Sequence, residues 1–578
     1  MSGPDGVPIG RGAPLPPRDP PGDALTEQIP IVPERAERSL GRSSGLMAVA
    51  SLVSRVTGFL RQVALVTVLT LGVVNSSFTV ANTLPLIVYE LLIGGVLTSV
   101  MVPLLVRSQT EDADGGEAYT RKLLTLAGVA LLLATTAAML AAPLLTRLYL
   151  GSNITETANP ALATAFAYLL LPQIFFFGMS ALLGAILNSR GAFGAFAWAP
   201  VLNNLVVLVV LIVFALVPGE ISLDPAQLGG PKLLVLGLGT TLGIIVQAAS
   251  MLPAVRRAGF RYRPRWGWDR RLTQAGGLAL WVVVYVLIGQ AGLLVTIRIA
   301  SGSDSAAVAI YANVWLLLQV PYGVLGVSLL TALMPRMSRA AAEGRYTDVV
   351  ADLSLGSRLL AVLLIPVSAL FTAFGPQIGT ALFGLRAANL DDARQLGAAL
   401  AVSAFGLLPY GITTLQMRVF HAMTDSRTPT LIQFVTIGIK IPLLLLCPVL
   451  LPPEQVVLGL VAANSAAFIA GAVLGQILLR RRLGAVPTRD MLRTIGRMLV
   501  TSVVATLMAF GVVALLAGPF DGLAPPARAW LQLVVALTVA APLTLAGAWL
   551  SGVREVDPLL RRIERLVDRA GPRRRAGH

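Results

Sequence analysis

Cysteine, histidine and lysine are almost missing from this 578-residue chain. The single cysteine, Cys447, rules out an intramolecular disulfide and a thiolate metal cluster. Two histidines, His421 and His578, leave little from which to build a zinc site, so neither metal nor cofactor is expected. Lysine occurs only at Lys122, Lys232 and Lys440, and charged residues of all kinds amount to 13% of the sequence. Soluble domains carry about 25% charged residues, so a string of them is excluded. A nucleotide-phosphate loop is also lacking. The nearest approach, Gly237-Leu-Gly239-Thr-Thr-Leu-Gly243, lies inside an apolar run rather than after a strand, and reads as close helix packing. With no catalytic constellation, the chain is not expected to be an enzyme, and any transport would draw on an ion gradient or the membrane potential.

What fills the chain is apolar: 55% hydrophobic residues and a mean hydropathy of +0.77. Those values describe an all-α polytopic membrane protein. Residues 1–42, rich in Pro, Gly and Arg without an apolar run, read as a disordered cytoplasmic tail and not as a cleavable leader. From Ser43 on, about fourteen apolar stretches follow, each long enough for a bilayer crossing. Taken as helices, they sort the basic residues by side. With the N-terminus lie Arg107, Arg121, Lys122, Arg190, the run from Arg256 to Arg271, Arg336, Arg339, Arg427, the run from Arg480 to Arg482, and the tail from Arg554. The other side holds little beyond Lys232, Arg386, Arg394 and Arg528. This asymmetry predicts cytoplasmic termini and an even number of crossings. It also explains the net charge of +16 by topology, not by nucleic acid.

Arg55 and Arg61 lie deep inside the first apolar stretch, where an arginine costs about 2.5 kcal/mol or more and normally faces protein or a watery cavity. Their anionic partner is expected to be a substrate. In a straight helix they sit roughly 120° apart and ~9 Å along the axis, so a bend at Gly58 is expected to turn both toward one cavity. Glu90 is a candidate charge partner for an arginine, or a proton site. Arg298, near the outer end of the seventh stretch, and Lys440, midway along the eleventh, are further candidate phosphate ligands; Arg418 and His421 read as interfacial. The loop RRAGFRYRPRWGWDRR interleaves Tyr262, Trp266 and Trp268 with arginine, a pattern for anionic headgroups and the interfacial belt. The run from Val556 to Ala570 is amphipathic and expected on the inner leaflet.

Similar stretches recur. Gly94 to Pro103, at the end of the second helix, is echoed by Gly326 to Pro335 at the end of the eighth, and Asn188-Ser-Arg190 by Asp425-Ser-Arg427. A period of six helices predicts two parallel six-helix repeats with substrate between them, plus two C-terminal helices. The expected divisions are 43–257 and 274–482 for the halves, 258–273 for a basic linker, 490–551 for the extra helices and 552–578 for a basic cytoplasmic tail.

Several of these pieces resemble the MurJ (MviN) lipid II flippases of the multidrug/oligosaccharidyl-lipid/polysaccharide exporter superfamily. They are Ser54-Arg-Val-Thr-Gly-Phe-Leu-Arg61, Leu84-Pro85, Gly95, Val102-Pro103, Gly184-Ala-Ile-Leu-Asn188, Ala199-Pro200, Val320-Pro-Tyr-Gly-Val-Leu-Gly-Val327, Met334-Pro-Arg-Met-Ser338 and Thr428-Pro429. The resemblance implies a bacterial inner-membrane flippase moving lipid II, or a related polyprenyl-pyrophosphate glycan, by alternating access, with Arg55 and Arg61 matching two cavity arginines. Anionic membrane lipids and envelope-synthesis proteins are the other expected partners. The chain departs from the family pattern at Tyr89 and Glu90, where some members carry an arginine pair. It departs again at Asn313 and Val314, in place of Asp-Arg, and at Gln62, in place of an acidic residue. These departures keep two alternatives open: an exporter of other polyprenyl-linked glycans or drugs, and a non-transporting scaffold for envelope synthesis.

Overall fold

The structure, a computed structural model, describes residues 34–91, 102–151, 155–223, 230–385, 390–423, 425, 427–484, 486–516, 518 and 522–557. Among them there is no strand. Thirteen helices among the described residues are long and apolar enough to cross a membrane. The second expected crossing runs through residues 92–101, outside the described residues, as does most of the expected amphipathic tail.

The first half contains α1 (Glu34–Leu69), α2 (Val73–Leu91), α3 (Val102–Glu111), α4 (Glu117–Leu140), α5 (Ala142–Leu150), α6 (Pro160–Leu170), α7 (Gln173–Ser189), α8 (Phe193–Leu216) and α9 (Pro231–Arg257). α1 starts earlier than the sequence suggested, taking in residues 34–42; this segment, ERAERSLGR, has good helix formers, a glutamate four residues before an arginine, and no proline. The second half contains α10 (Arg270–Ser303), α11 (Ala307–Pro321), a π turn (Tyr322–Gly326), α12 (Val327–Ala342), α13 (Tyr346–Phe383), α14 (Leu390–Ser403), α15 (Leu407–Ala422), α16 (Arg427–Leu450) and α17 (Val456–Leu483). Two helices follow, α18 (Thr488–Leu515) and α19 (Pro525–Leu550).

Packing pairs of the first half return in the second. α1 on α8, α8 on α9, α7 on α9, α2 on α6 and α4 on α7 are matched by α10 on α16, α16 on α17, α15 on α17, α11 on α14 and α13 on α15. α18 and α19 pack on each other and on α13. α13 bends at Phe374, two residues before Pro376, whose ring cannot continue the hydrogen-bond ladder. The bend brings α13 against α14 backbone to backbone: a Cβ on Gly397 would run into the Gly375 carbonyl oxygen.

One apolar core joins the halves at the end bearing the turn between α1 and α2. It gathers Leu65, Val66, Leu69 and Phe78 from the first half and Val308, Ile310 and Leu317 from the second. The Ser76 hydroxyl donates to the Ser305 carbonyl at 2.6 Å across this seam.

Two outcomes are expected. Gly397→Ala should destabilise the protein by about 1–3 kcal/mol, read as a lower thermal midpoint in detergent, because backbone has no room to yield. In a Cys447→Ala background, Ser76→Cys with Ser305→Cys should form a disulfide under mild oxidation; failure to form one would place the seam elsewhere.

Candidate functional site

α1 is one continuous helix through Gly58. Gly58 permits close approach to α8, since a Cβ there would stand 3.3 Å from Asn204 Nδ2. That buried amide donates to the Ser54 carbonyl at 3.0 Å and to the Thr57 hydroxyl at 3.1 Å. Ser54, Thr57, Gly58 and Arg61 therefore share the stripe of α1 that faces α8. Arg55 and Gln62 lie on a different stripe, toward the second half. Gln62 Nε2 donates to Asn313 Oδ1 of α11 at 3.1 Å.

Arg55 reaches the π turn, where its guanidinium occupies the place a Cβ on Gly323 would take. Pro321 precedes this turn and lacks the amide hydrogen that regular helix requires. The neighbouring Tyr322 is 5% exposed, and Arg55 and Arg418 both lie close enough to act on its hydroxyl electrostatically. Arg418 comes from α15, so an arginine of each half lies within electrostatic range of the Tyr322 hydroxyl, which makes no hydrogen bond to either. Among the described residues, Arg55, Arg61 and Arg418 form no ion pair.

Deeper in the bundle lies a cavity of about 320 Å³ between α2, α10, α11, α15, α16 and α17. Glu90, Gln290, Trp315, Tyr410, Lys440 and Asn464 are among its walls. Lys440 is 6% exposed, and its ammonium lies 3.4 Å from the Tyr311 hydroxyl. A lone phenol compensates a buried cation poorly, which leaves the ammonium poised for an anion. Glu90 accepts a hydrogen bond from Gln290 Nε2 at 3.1 Å, across the halves. Its neighbour Tyr89 turns the other way and packs on Phe177, ring centroids 4.7 Å apart. Tyr410 links the two regions, 4.7 Å from Tyr322 and 5.2 Å from Trp315 between centroids.

The lipid II flippase MurJ family model matches residues 65–523, most of the chain. The chain belongs to that family. A probable lipid II flippase MurJ of Rhizobium meliloti is 26% identical over 539 residues, covering 91% of this chain and 97% of its own. The structure also resembles one described as lipid II flippase MurJ in an inward closed conformation, with a TM-score of 0.66, 17% identity and coverage of 87% and 98%. An inward-facing multidrug resistance MATE transporter of the MOP superfamily aligns with a TM-score of 0.54 at 15% identity, covering 76% of this chain and 95% of its own.

Of the residues singled out from the sequence, Glu90 and Lys440 share the cavity, and Arg55 lies beside Tyr322 at the meeting of the halves. Arg61, half-buried, belongs to the α8-facing stripe. Arg298 is packed on Gly151 after α5, where a Cβ on that glycine would meet its guanidinium. Arg418, read from the sequence as interfacial, lies within electrostatic range of Tyr322. The departures from the MurJ family pattern at Gln62 and Asn313 prove to be partners, a neutral amide pair between halves.

Gly323→Ala should leave the thermal midpoint nearly unchanged, because the obstructing atoms are the far end of a flexible side chain. It should nevertheless push Arg55 off the π turn. Combined with Arg55→Ala it should add no further functional loss; full additivity would show that the two residues act separately.

Proposed function

We propose that this multi-pass protein carries lipid II from the inner to the outer leaflet of the bacterial cytoplasmic membrane by alternating access. The observation that supports this reading best is that Arg55 and Arg418, one from each half, both lie within electrostatic range of Tyr322. Two guanidinium forks with no carboxylate partner among the described residues match a pyrophosphate, giving paired donors whose charge is permanent. Lys440 offers a third positive group deeper in the cavity, while Glu90, held by Gln290, offsets its charge when no cargo is bound. Arg61 acts on the same anion from the α8 side. Arg298 takes no part in loading, because it lies near the far end of α10.

In this reading residues 43–257 and 274–482 are parallel repeats that rock about the cargo, and both termini are cytoplasmic. The cargo phosphate would have to bind both arginines at once, so it couples substrate loading to the relative position of the halves. The amide pair Gln62–Asn313 and the Ser76–Ser305 contact are neutral, so breaking them during opening leaves no buried charge behind.

Rescue of a flippase-depleted cell tests this, with outward exposure of the precursor as the readout. Losing a charge-assisted hydrogen bond costs about 1.5–3 kcal/mol, so Arg55→Ala and Arg418→Ala should each cut exposure roughly tenfold or more. Arg55→Lys should restore part of it, and His421→Ala should have no effect. Full rescue by both alanine variants would sink the proposal. Normal precursor exposure combined with altered toxin tolerance would instead support a drug exporter.

A further inference from the structure

A second cavity, of about 920 Å³, lies wholly within the first half, between α4, α7, α9 and the basic linker. Leu124, Gly128 and Leu132 form one wall at helical spacing, and Phe175, Met179 and Leu183 form another. The α4 stripe alone runs ~12 Å along the helix. At the end near the linker the lining changes to Arg256, Arg261 and Tyr262. The result is an apolar trough with cations at its mouth.

The mouth is a built feature. Phe260, 1% exposed, anchors the chain as it leaves α9, and Arg190 covers its ring at 5.4 Å while donating to the Ala258 carbonyl at 2.9 Å. The buried Thr125 hydroxyl lies 3.1 Å from the Tyr262 hydroxyl and accepts from the Arg265 amide at 3.1 Å. Arg121 Nε donates to the Arg261 carbonyl at 3.2 Å. Farther along, Arg271 is neutralised by Asp112 at 2.8 Å. Arg256 and Arg261 have no such carboxylate among the described residues, so the linker is fixed in place with two charges unspent beside the trough.

We propose that this trough seats one anionic phospholipid, its acyl chains along α4 and α7 and its phosphate between Arg256 and Arg261. Apolar walls beside arginines at a membrane boundary match the two ends of such a lipid. A nucleotide would find no hydrogen-bonding groups for its base along these walls. An extended peptide would leave its backbone unsatisfied against them. A polyprenyl chain is far longer than the trough. Because the linker joins the halves, an occupant would tie its first segment to the first half.

The test uses the full-length protein in detergent, with native mass spectrometry of retained lipid after titration with dioleoyl phosphatidylglycerol or dioleoyl phosphatidylcholine. Phosphatidylglycerol should be preferred, and Arg256→Gln with Arg261→Gln should weaken its retention roughly tenfold, equivalent to about 1.4 kcal/mol. Gly128→Leu should do the same with both arginines intact. A Cβ at Gly128 meets only the Met179 methyl group, at 3.6 Å, so the added atoms enter the trough without straining α4. Arg263→Gln, on the same loop but outside the lining, should retain the lipid as well as the unaltered protein. Equal retention of both phospholipids, no effect of Gly128→Leu, or an equal loss from Arg263→Gln would each overturn the proposal. Displacement of phosphatidylglycerol from this trough by a polyprenyl phosphate would overturn it too, assigning the trough to the cargo.

Discussion

A positive charge inside an apolar bundle must be compensated, and this requirement shapes the centre of the molecule. Lys440, buried, Arg418, half-buried, and Arg55, exposed at the meeting of the halves, have no carboxylate partner among the described residues. Lys440 meets the Tyr311 hydroxyl instead, and Arg55 and Arg418 lie in the electrostatic neighbourhood of the Tyr322 phenol. Fully paired cations would give a more stable but inert bundle. Incomplete pairing leaves attraction available to an anionic cargo, so binding and stability draw on the same charges.

Around α1 and the turn after it, neutral hydrogen bonds join the halves. Gln62 with Asn313 and Ser76 with Ser305 join α1 and the turn after it to the second half without an ion pair. Both Gln62 and Asn313 stand where some members of the family carry acidic residues, and their mutual hydrogen bond explains how both departures coexist. Such a seam holds the halves together and also lets them part, because separating neutral groups costs less than separating buried charges.

The arginine-rich linker illustrates how topology and local packing combine. Positive charge collects there as expected of a cytoplasmic loop. Yet Arg121, Arg190 and Thr125 hold its backbone against α4 and α7, so its position is defined rather than left to solvent. Arg271 is consumed by this anchoring while Arg256 and Arg261 are not, a division invisible in a run of identical residue types.

The sequence alone determined the helical membrane class, the approximate number of crossings and the family, because each depends on local properties: run length, residue type and short motifs. It also singled out Arg55, Glu90 and Lys440, since an ionisable residue deep in an apolar run is unusual wherever it points. Tertiary structure decided the partners. Gly58, a candidate bend in the sequence, also lies in close contact with Asn204, because glycine serves both flexibility and close approach and only the neighbouring helix reveals the second. Arg61 and Arg298 carry the same charge as Arg55 but lie on other faces, against α8 and Gly151. Arg418, near a helix end, acquires Tyr322 as an electrostatic neighbour only through the packing of α15. Depth along a helix follows from counting residues; direction around the axis acquires meaning only once the other helices are packed against it.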